Sequence, residues 1–335
     1  MSIVAQPRRR GRTLLVLAAA ASLGLAAGCS SAGDSGEAGD GAASEGYPIT
    51  VEHAMGETTI ESRPQTVVAL DTSYVDAAVA LELDVVGRIT YRAVGEDIPD
   101  YLGEAGETYA GDATIVGTLE APDLATIAEL EPDLIVSAEV RHADIYDQLS
   151  AIAPTVFSES TGSSWKDNIR MLAEATGREE LAEQRIGAYE ERAAELGEAI
   201  NERFDGEPPT ISIVRFAGEP TVRLYSSASF PGIVQADVGL PRSPDAPDDT
   251  ENIAVDLSEE QILDLDADHI FVSTWNDDTG AAEEQAERFT SNPLWDQLEG
   301  ERHDVPDVTW FTSVSLQGAE AMLDDMAETF DVQTG

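Results

Sequence analysis

The chain has 335 residues, 65 of them acidic and 19 basic, for a formal net charge of -46, a surplus that repels nucleic acid and excludes that class of partner. With 42% hydrophobic residues it can fill ordinary cores and is not a disordered acidic polymer. Its length suits about two domains of 100 to 200 residues.

The first segment reads as an address. Arg8, Arg9, Arg10 and Arg12 precede an apolar run from Leu14 to Ala27, which ends in Leu25-Ala26-Ala27-Gly28-Cys29 before a Ser/Gly/Asp/Glu-rich stretch. The run is shorter than the roughly 20 residues a bilayer-spanning helix needs, so residues 1–28 read as a secretory signal peptide. Leu-Ala-Ala-Gly-Cys resembles the lipobox of bacterial lipoproteins, which implies lipidation at Cys29 and makes residues 29–46 a flexible tether with a reach on the order of 20 Å. Cys29 is the one cysteine, so no internal disulfide is expected. The expected location is the extracytoplasmic face of the bacterial cell membrane, touched only through the lipid anchor.

From Tyr47 onward short β-branched runs alternate with helical patterns, which argues for an α/β fold with mainly parallel sheets. Residues 47–160 form one lobe, with strands at Thr66–Leu70, Val85–Ile89 and Asp133–Ser137 and helices at Tyr74–Leu83 and Leu124–Leu130. Residues 161–205 are a helical linker. Its first helix, Ser164–Thr176, stops at Gly177. Its second, Arg178–Phe204, carries Ala182, Ile186, Tyr189, Ala193, Leu196 and Ile200 at steps of four and three, a single apolar stripe on a helix of roughly 40 Å. Such a helix can bridge two lobes; the alternative, a partner in a helical bundle, fits poorly with α/β patterns on both sides. Residues 206–335 form the second lobe, with strands at Thr210–Val214, His269–Ser273 and Val308–Phe311 and helices at Phe230–Val238, Ser258–Leu263, Asn292–Leu298 and Ala319–Phe330.

Arg63-Pro64 followed by Thr66–Gly87, then Val116–Val136, Ile211–Phe216, Leu224–Arg242, Asp256–Trp275 and Asn292–Leu298 occur in an order that resembles the substrate-binding lipoproteins of ABC importers for ferric siderophores. The resemblance spans nearly all of residues 47–335. It implies two Rossmann-like lobes joined by one long helix, with the ligand cleft between them. It further implies a ferric siderophore as transported ligand, no permanently bound cofactor, ABC importer permease subunits as partners, and a monomer.

Ligands of open α/β sheets sit beyond the carboxyl ends of the strands. The side chains expected there are Asp71, Thr72, Ser73 and Tyr74, then Tyr91 and Arg92, then Glu139 and Arg141, and in the second lobe Arg215, Phe216, Tyr225, Trp275 and Trp310. Of these, Ser73, Tyr74, Tyr91, Arg92, Arg141, Arg215, Tyr225, Trp275 and Trp310 form the candidate binding set. Arg92, Arg141 and Arg215 stand at strand ends in an acidic chain, whereas Lys166, Arg170, Arg178, Arg185, Arg192 and Arg203 ride on helices. A ferric siderophore brings its own oxygen donors, so the protein has only to supply bidentate guanidinium donors and ring faces. Arg215 also matches the arginine of the family's second-lobe strand motif. Surface ion pairing is the ordinary alternative for the arginines and core packing for the tryptophans; Trp165 and Trp295, in helical patterns, are assigned to packing.

The family's docking glutamates correspond to Glu260 in the second lobe and to Ala125 in the first, where Glu120 or Asp123 would have to substitute. His53, His142, His269 and His303 show no short ligand spacing, so no metal site is expected. No phosphate loop, G-x-S-x-G or H-E-x-x-H motif occurs, so no catalysis is expected. With about three candidate arginines against several aromatics, a hydroxamate chelate is favoured over catecholate or citrate types, and cobalamin or haem is the alternative within the same architecture.

Overall fold

The computed structural model describes residues 46–92, 94–276 and 279–333; the signal peptide, Cys29 and all of the tether but Gly46 lie outside them. The described chain opens with an antiparallel hairpin, β1 (Ile49–His53) and β2 (Gly56–Ile60). A five-stranded sheet follows, built from β3 (Thr66–Ala69), β4 (Asp84–Arg88), β5 (Thr114–Ile115), β8 (Leu134–Ala138) and β9 (Thr155–Ser158), with a small antiparallel pair, β6 (Gly117–Thr118) and β7 (Ala121–Pro122), beside it. Its strand order is β5-β4-β3-β8-β9 and every pair is parallel. All residues of β8 and β9 are buried, as helices on both faces of a parallel sheet require. The helices of this half are α1 (Thr72–Ala80), α2 (Gly103–Ala110), α3 (Leu124–Glu129), α4 (Glu139–His142) and α5 (Tyr146–Ser150).

The second sheet contains β10 (Ile211–Phe216), β11 (Val222–Tyr225), β12 (Ala254–Leu257), β13 (His269–Thr274) and β14 (Glu301–Asp304) in the order β12-β11-β10-β13-β14. It is mixed: β10, β13 and β14 pair in parallel, while β11 pairs antiparallel with both β10 and β12. Between the sheets lie α6 (Trp165–Thr176), closed by Gly177 in the left-handed region, and α7 (Glu179–Arg203), of 25 residues. The chain then adds α8 (Phe230–Val238), α9 (Ala281–Thr290) and α10 (Leu316–Thr329).

All six residues of the apolar stripe on α7 are buried. On this helix Gly197 meets the C-terminal end of α8, where an added Cβ would sit 1.9 Å from the Val238 carbonyl oxygen. Gly197→Ala is therefore expected to force α8 off the linking helix and cost about 1–3 kcal/mol, read as a lower urea midpoint. The control Gly187→Ala, with nothing near its Cβ, should gain about 0.5–1 kcal/mol from helix propensity. Equal effects at both positions would contradict this packing.

The linking helix is not the only bridge between the halves. Helix α10, near the end of the chain, packs on α7 and also on α1 of the first half, so one apolar core runs from Val67 and Val136 through Tyr189 to Phe271 and Leu323. Such a shared core resists wide opening of the cleft.

Several expected elements are replaced. Val308–Phe311 is not a strand but part of a π-helical turn, Val308–Thr312. Its β-branched and aromatic composition favours a strand in isolation. Here, however, the sheet already ends at β14, and the turn sends Trp310 into the core and Phe311 toward the cleft. Asn292–Leu298 holds only a 3-10 turn at Trp295–Gln297, and Ser258–Leu263 is a 3-10 run, Glu259–Leu265, opened by a Ser258/Gln261 capping box.

Candidate functional site

A cavity of about 290 Å³ lies where the carboxyl ends of β3, β4, β10 and β13 face one another, with walls from both halves of the molecule. On the first side, β3 runs into Asp71, whose carboxylate caps α1 by accepting from the Ser73 backbone N–H (2.9 Å) and hydroxyl (2.7 Å). The same carboxylate receives the Arg141 Nε–H at 2.9 Å, so the N-cap of α1 positions the arginine of α4. Arg92, in the loop after β4, pairs with Glu120 across the rim. The Arg92 guanidinium holds the Glu120 carboxyl below its usual range.

On the second side, Arg215 of β10 donates to both oxygens of Asp307, from Nε at 2.6 Å and Nη2 at 2.8 Å, and from Nη1 to the Tyr225 hydroxyl at 3.3 Å. Its guanidinium also lies 5.2 Å from the Phe311 ring centre and 6.0 Å from that of Trp275. Burial works against its charge, but Tyr225 and Asp307 outweigh it and hold the group above arginine's usual value. Directly opposite Arg215 in the β10–β11 register stands Arg223, which donates its Nε–H to Glu219 at 2.9 Å and is held above its usual value chiefly by that carboxylate. Like charges placed directly across a sheet are destabilising. Two arginines in register, each offset by its own carboxylate, are what a site for anionic oxygens would use.

Of the candidate binding set, Arg92, Arg141, Arg215 and Trp275 line this cavity, together with Thr72. The remaining five are buried behind it. Ser73 binds Asp71, and Tyr74 donates to Ser158. Tyr91 donates to Asp76 at 2.7 Å. Tyr225 supports Arg215, its ring 4.5 Å from that of Phe311. Trp310 is fully buried, stacked on Phe271 and donating from Nε1 to Asp325 at 2.7 Å, so its place is in the core. Burial pushes the Tyr74 and Tyr91 hydroxyls above their usual pKa, which keeps both neutral donors. Trp165 and Trp295 pack as expected, Trp165 between Tyr189 and Phe230 and Trp295 against Phe216.

Arg223, Glu219 and Phe311 are cavity residues that the sequence reading passes over. Arg223 had a signal. Alternation along Val222–Tyr225 puts it on the same face as Tyr225. Among the docking candidates Glu260 is exposed on the Glu259–Leu265 turn, Glu120 is paired with Arg92, and Asp123 is exposed but caps α3, accepting from the backbone N–H of Ala125 and Thr126.

Comparison with known proteins gives a consistent answer. The profile of the family described as Periplasmic binding protein matches residues 67–303. The chain is 35% identical over 298 residues to a protein of Bacillus subtilis (strain 168) named probable siderophore-binding lipoprotein, with 85% of this chain and 88% of that one covered. It is 31% identical over 278 residues to the achromobactin-binding periplasmic protein of Dickeya dadantii (strain 3937), covering 81% and 88%. The crystal structure of Staphylococcus aureus SirA complexed with staphyloferrin B matches with a TM-score of 0.76 and 28% identity, over 85% of this chain and 99% of that one.

Proposed function

The chain belongs to the periplasmic binding protein family, whose relatives here bind substrates and are not enzymes, and from that premise we propose that it captures a ferric siderophore of net negative charge and delivers it to the permease subunits of an ABC importer for iron uptake. The observation that carries the charge assignment is the convergence of Arg92, Arg141, Arg215 and Arg223 from both halves on one cavity. The hydroxamate expectation rests on three arginines against several aromatics. The cavity has four arginines, and its aromatic wall is Trp275 and Phe311. Each guanidinium carries five N–H donors, more than one carboxylate can accept, so an anionic chelate can join the existing ion pairs without displacing them. A lining of paired arginines with only two aromatic side chains also suits a charged chelate better than the broad apolar face of a haem or cobalamin. The names of the relatives, which include a ferric citrate binder and a ferric enterobactin binder, accord with anionic ligands.

In this reading Cys29 carries the lipid that holds a monomer at the extracytoplasmic face of the membrane. Among the described residues no helix is long and apolar enough to cross a membrane. Glu260 is the proposed contact to the permease in the second half, and Glu120 and Asp123 are the candidates in the first.

Tryptophan fluorescence of the chain from Ser30 onward, titrated with a ferric tris-catecholate, ferric citrate, a ferric trihydroxamate, haem and cobalamin, tests the proposal, since Trp275 is on the cavity wall. Saturable quenching by an anionic ferric chelate is expected. Saturation by the trihydroxamate alone would return the ligand to the neutral or cationic class, and saturation by haem or cobalamin alone would replace the siderophore.

A further inference from the structure

The fold brings together two histidines that are 34 positions apart in the chain. His269 opens β13 and His303 lies in β14, the parallel edge strand beside it, where Glu301 stands opposite His269 in register. The Nδ1 of His269 and Nε2 of His303 are 2.8 Å apart, and their rings are nearly parallel at 19°. One donor atom from each of His269, Glu301 and His303 falls within 4.8 Å of the others. We propose that these three side chains form a binding site for a divalent late transition metal ion of the zinc class, separate from the ferric-chelate cleft.

The geometry favours a metal in three ways. Two ring nitrogens at hydrogen-bond distance share one proton, so at least one imidazole is neutral and directs a lone pair at its neighbour; a metal ion can take the place of that proton. Tetrahedral zinc with bonds of about 2.0–2.1 Å needs its two nitrogens about 3.3 Å apart, an opening of about half an ångström from what is present. The rings are also held in place from outside. Phe204 and Phe330 pack edge-on against His269, at ring-centre distances of 6.1 and 4.9 Å, and Phe271 lies 5.2 Å from His303. These contacts fix the ligand orientations before an ion arrives.

Access and charge agree with this assignment. Glu301 is exposed and the two histidines are partly so, and His303 lines a surface depression that also holds Asp304, Asp325 and Glu328. Two imidazoles and one carboxylate suit zinc, cobalt, nickel or copper in their divalent states; magnesium and calcium prefer all-oxygen sites. A water would complete the coordination. His269 is at the start of β13 and Trp275 just past its end, so the site lies roughly 20 Å along the strand from the cleft. A bound ion would pin the exposed edge strand β14 to the sheet, next to the last turn of α7.

Zinc chloride titrated by calorimetry into the metal-stripped chain from Ser30, with magnesium present to occupy surface carboxylates, tests the assignment. One zinc per chain is expected, with a rise in the thermal midpoint by mass action; cobalt(II) should give visible absorption of tetrahedral intensity. His303→Ala should abolish both signals, Glu301→Gln should weaken binding at least about tenfold, and His53→Ala, outside the cluster, should leave it unchanged. If His303→Ala does not fold, Glu301→Gln on the exposed edge decides in the same sense. Absence of saturable zinc binding, or binding unaffected by Glu301→Gln and His303→Ala, overturns the site. Chelate binding in the cleft should be the same for all these variants.

Discussion

Arg215→Met is expected to lower affinity for the ferric chelate by about 30- to 1000-fold, the loss of roughly 2–4 kcal/mol typical of a buried arginine anchor. Arg215 is the cavity arginine most enclosed by its own protein, with its side chain 13% exposed and its partner Asp307 7% exposed. That enclosure makes it a rigid donor, since its planar group is fixed by two bonds to Asp307 and by the Tyr225 hydroxyl. It also means that removing Arg215 strands a buried carboxylate, a loss of about 3–5 kcal/mol in fold stability. The two effects are separable. Arg215→Met combined with Asp307→Asn leaves no unpaired charge and should recover most of the thermal midpoint while chelate binding stays weak. Calorimetric titration of both variants against the chelate selected by fluorescence, alongside their melting curves, provides the check. A folded double variant with wild-type affinity would remove Arg215 from the site.

What the sequence discloses depends on how completely an element is buried. The stripe on α7 is legible because one face is buried along the whole helix, and β3, β8 and β10 are legible because helices cover both of their faces. Strand β14, with the sequence Glu-Arg-His-Asp, is an exposed edge whose partner dictates its conformation. The α9 segment buries only Ala282, Gln285 and Phe289, one large apolar residue in ten. The site is legible to the same degree. A cation at the end of a parallel strand in an acidic chain stands out, which locates Arg92, Arg141 and Arg215. Arg223 belongs to an antiparallel strand, where that rule does not reach, and its significance comes from facing Arg215, a pairing that no spacing reveals. For Tyr74 and Tyr91 the position after a strand is as expected, but the direction of the side chain is set by partners outside the local pattern, Ser158 and Asp76, whereas Trp310 lies in the π-helical turn that replaces its expected strand and is turned inward to Asp325.

Asp76 supplies the second large expected effect, and its sign depends on pH. It is fully buried in the apolar helix α1, yet accepts hydrogen bonds from the hydroxyls of Tyr91 (2.7 Å), Tyr101 (2.8 Å) and Ser313 (2.9 Å), while its backbone carbonyl accepts from Gln317 Nε2 (2.9 Å). Ser313 and Gln317 come from the second half, so Asp76 ties the two halves together through its carboxyl and its backbone carbonyl, alongside the apolar core they share. Burial pushes its pKa up to about 6, against the pull of the three hydroxyls and with a contribution from Asp71. In the unfolded chain the value is about 3.9. The folded state therefore binds this proton more tightly. The stability it brings is complete below about pH 4 and is lost as pH rises through about 6, a change on the order of 3 kcal/mol. Asp76→Ala removes an acceptor shared by three buried hydroxyls, at roughly 1–3 kcal/mol for each one left unsatisfied, but at neutral pH it also relieves a desolvated charge. The variant should thus be markedly less stable than wild type near pH 4.5 and much closer to it near pH 7.5. Asp76→Asn, which keeps an acceptor and carries no charge, should lose less in acid and gain on wild type at neutral pH. Urea denaturation of the three chains at both pH values reads the difference directly, because the other carboxylates are common to all of them and cancel. Equal penalties at the two pH values would mean that Asp76 does not titrate in this range, and no penalty at either would mean that the hydroxyl cluster does not hold the halves together.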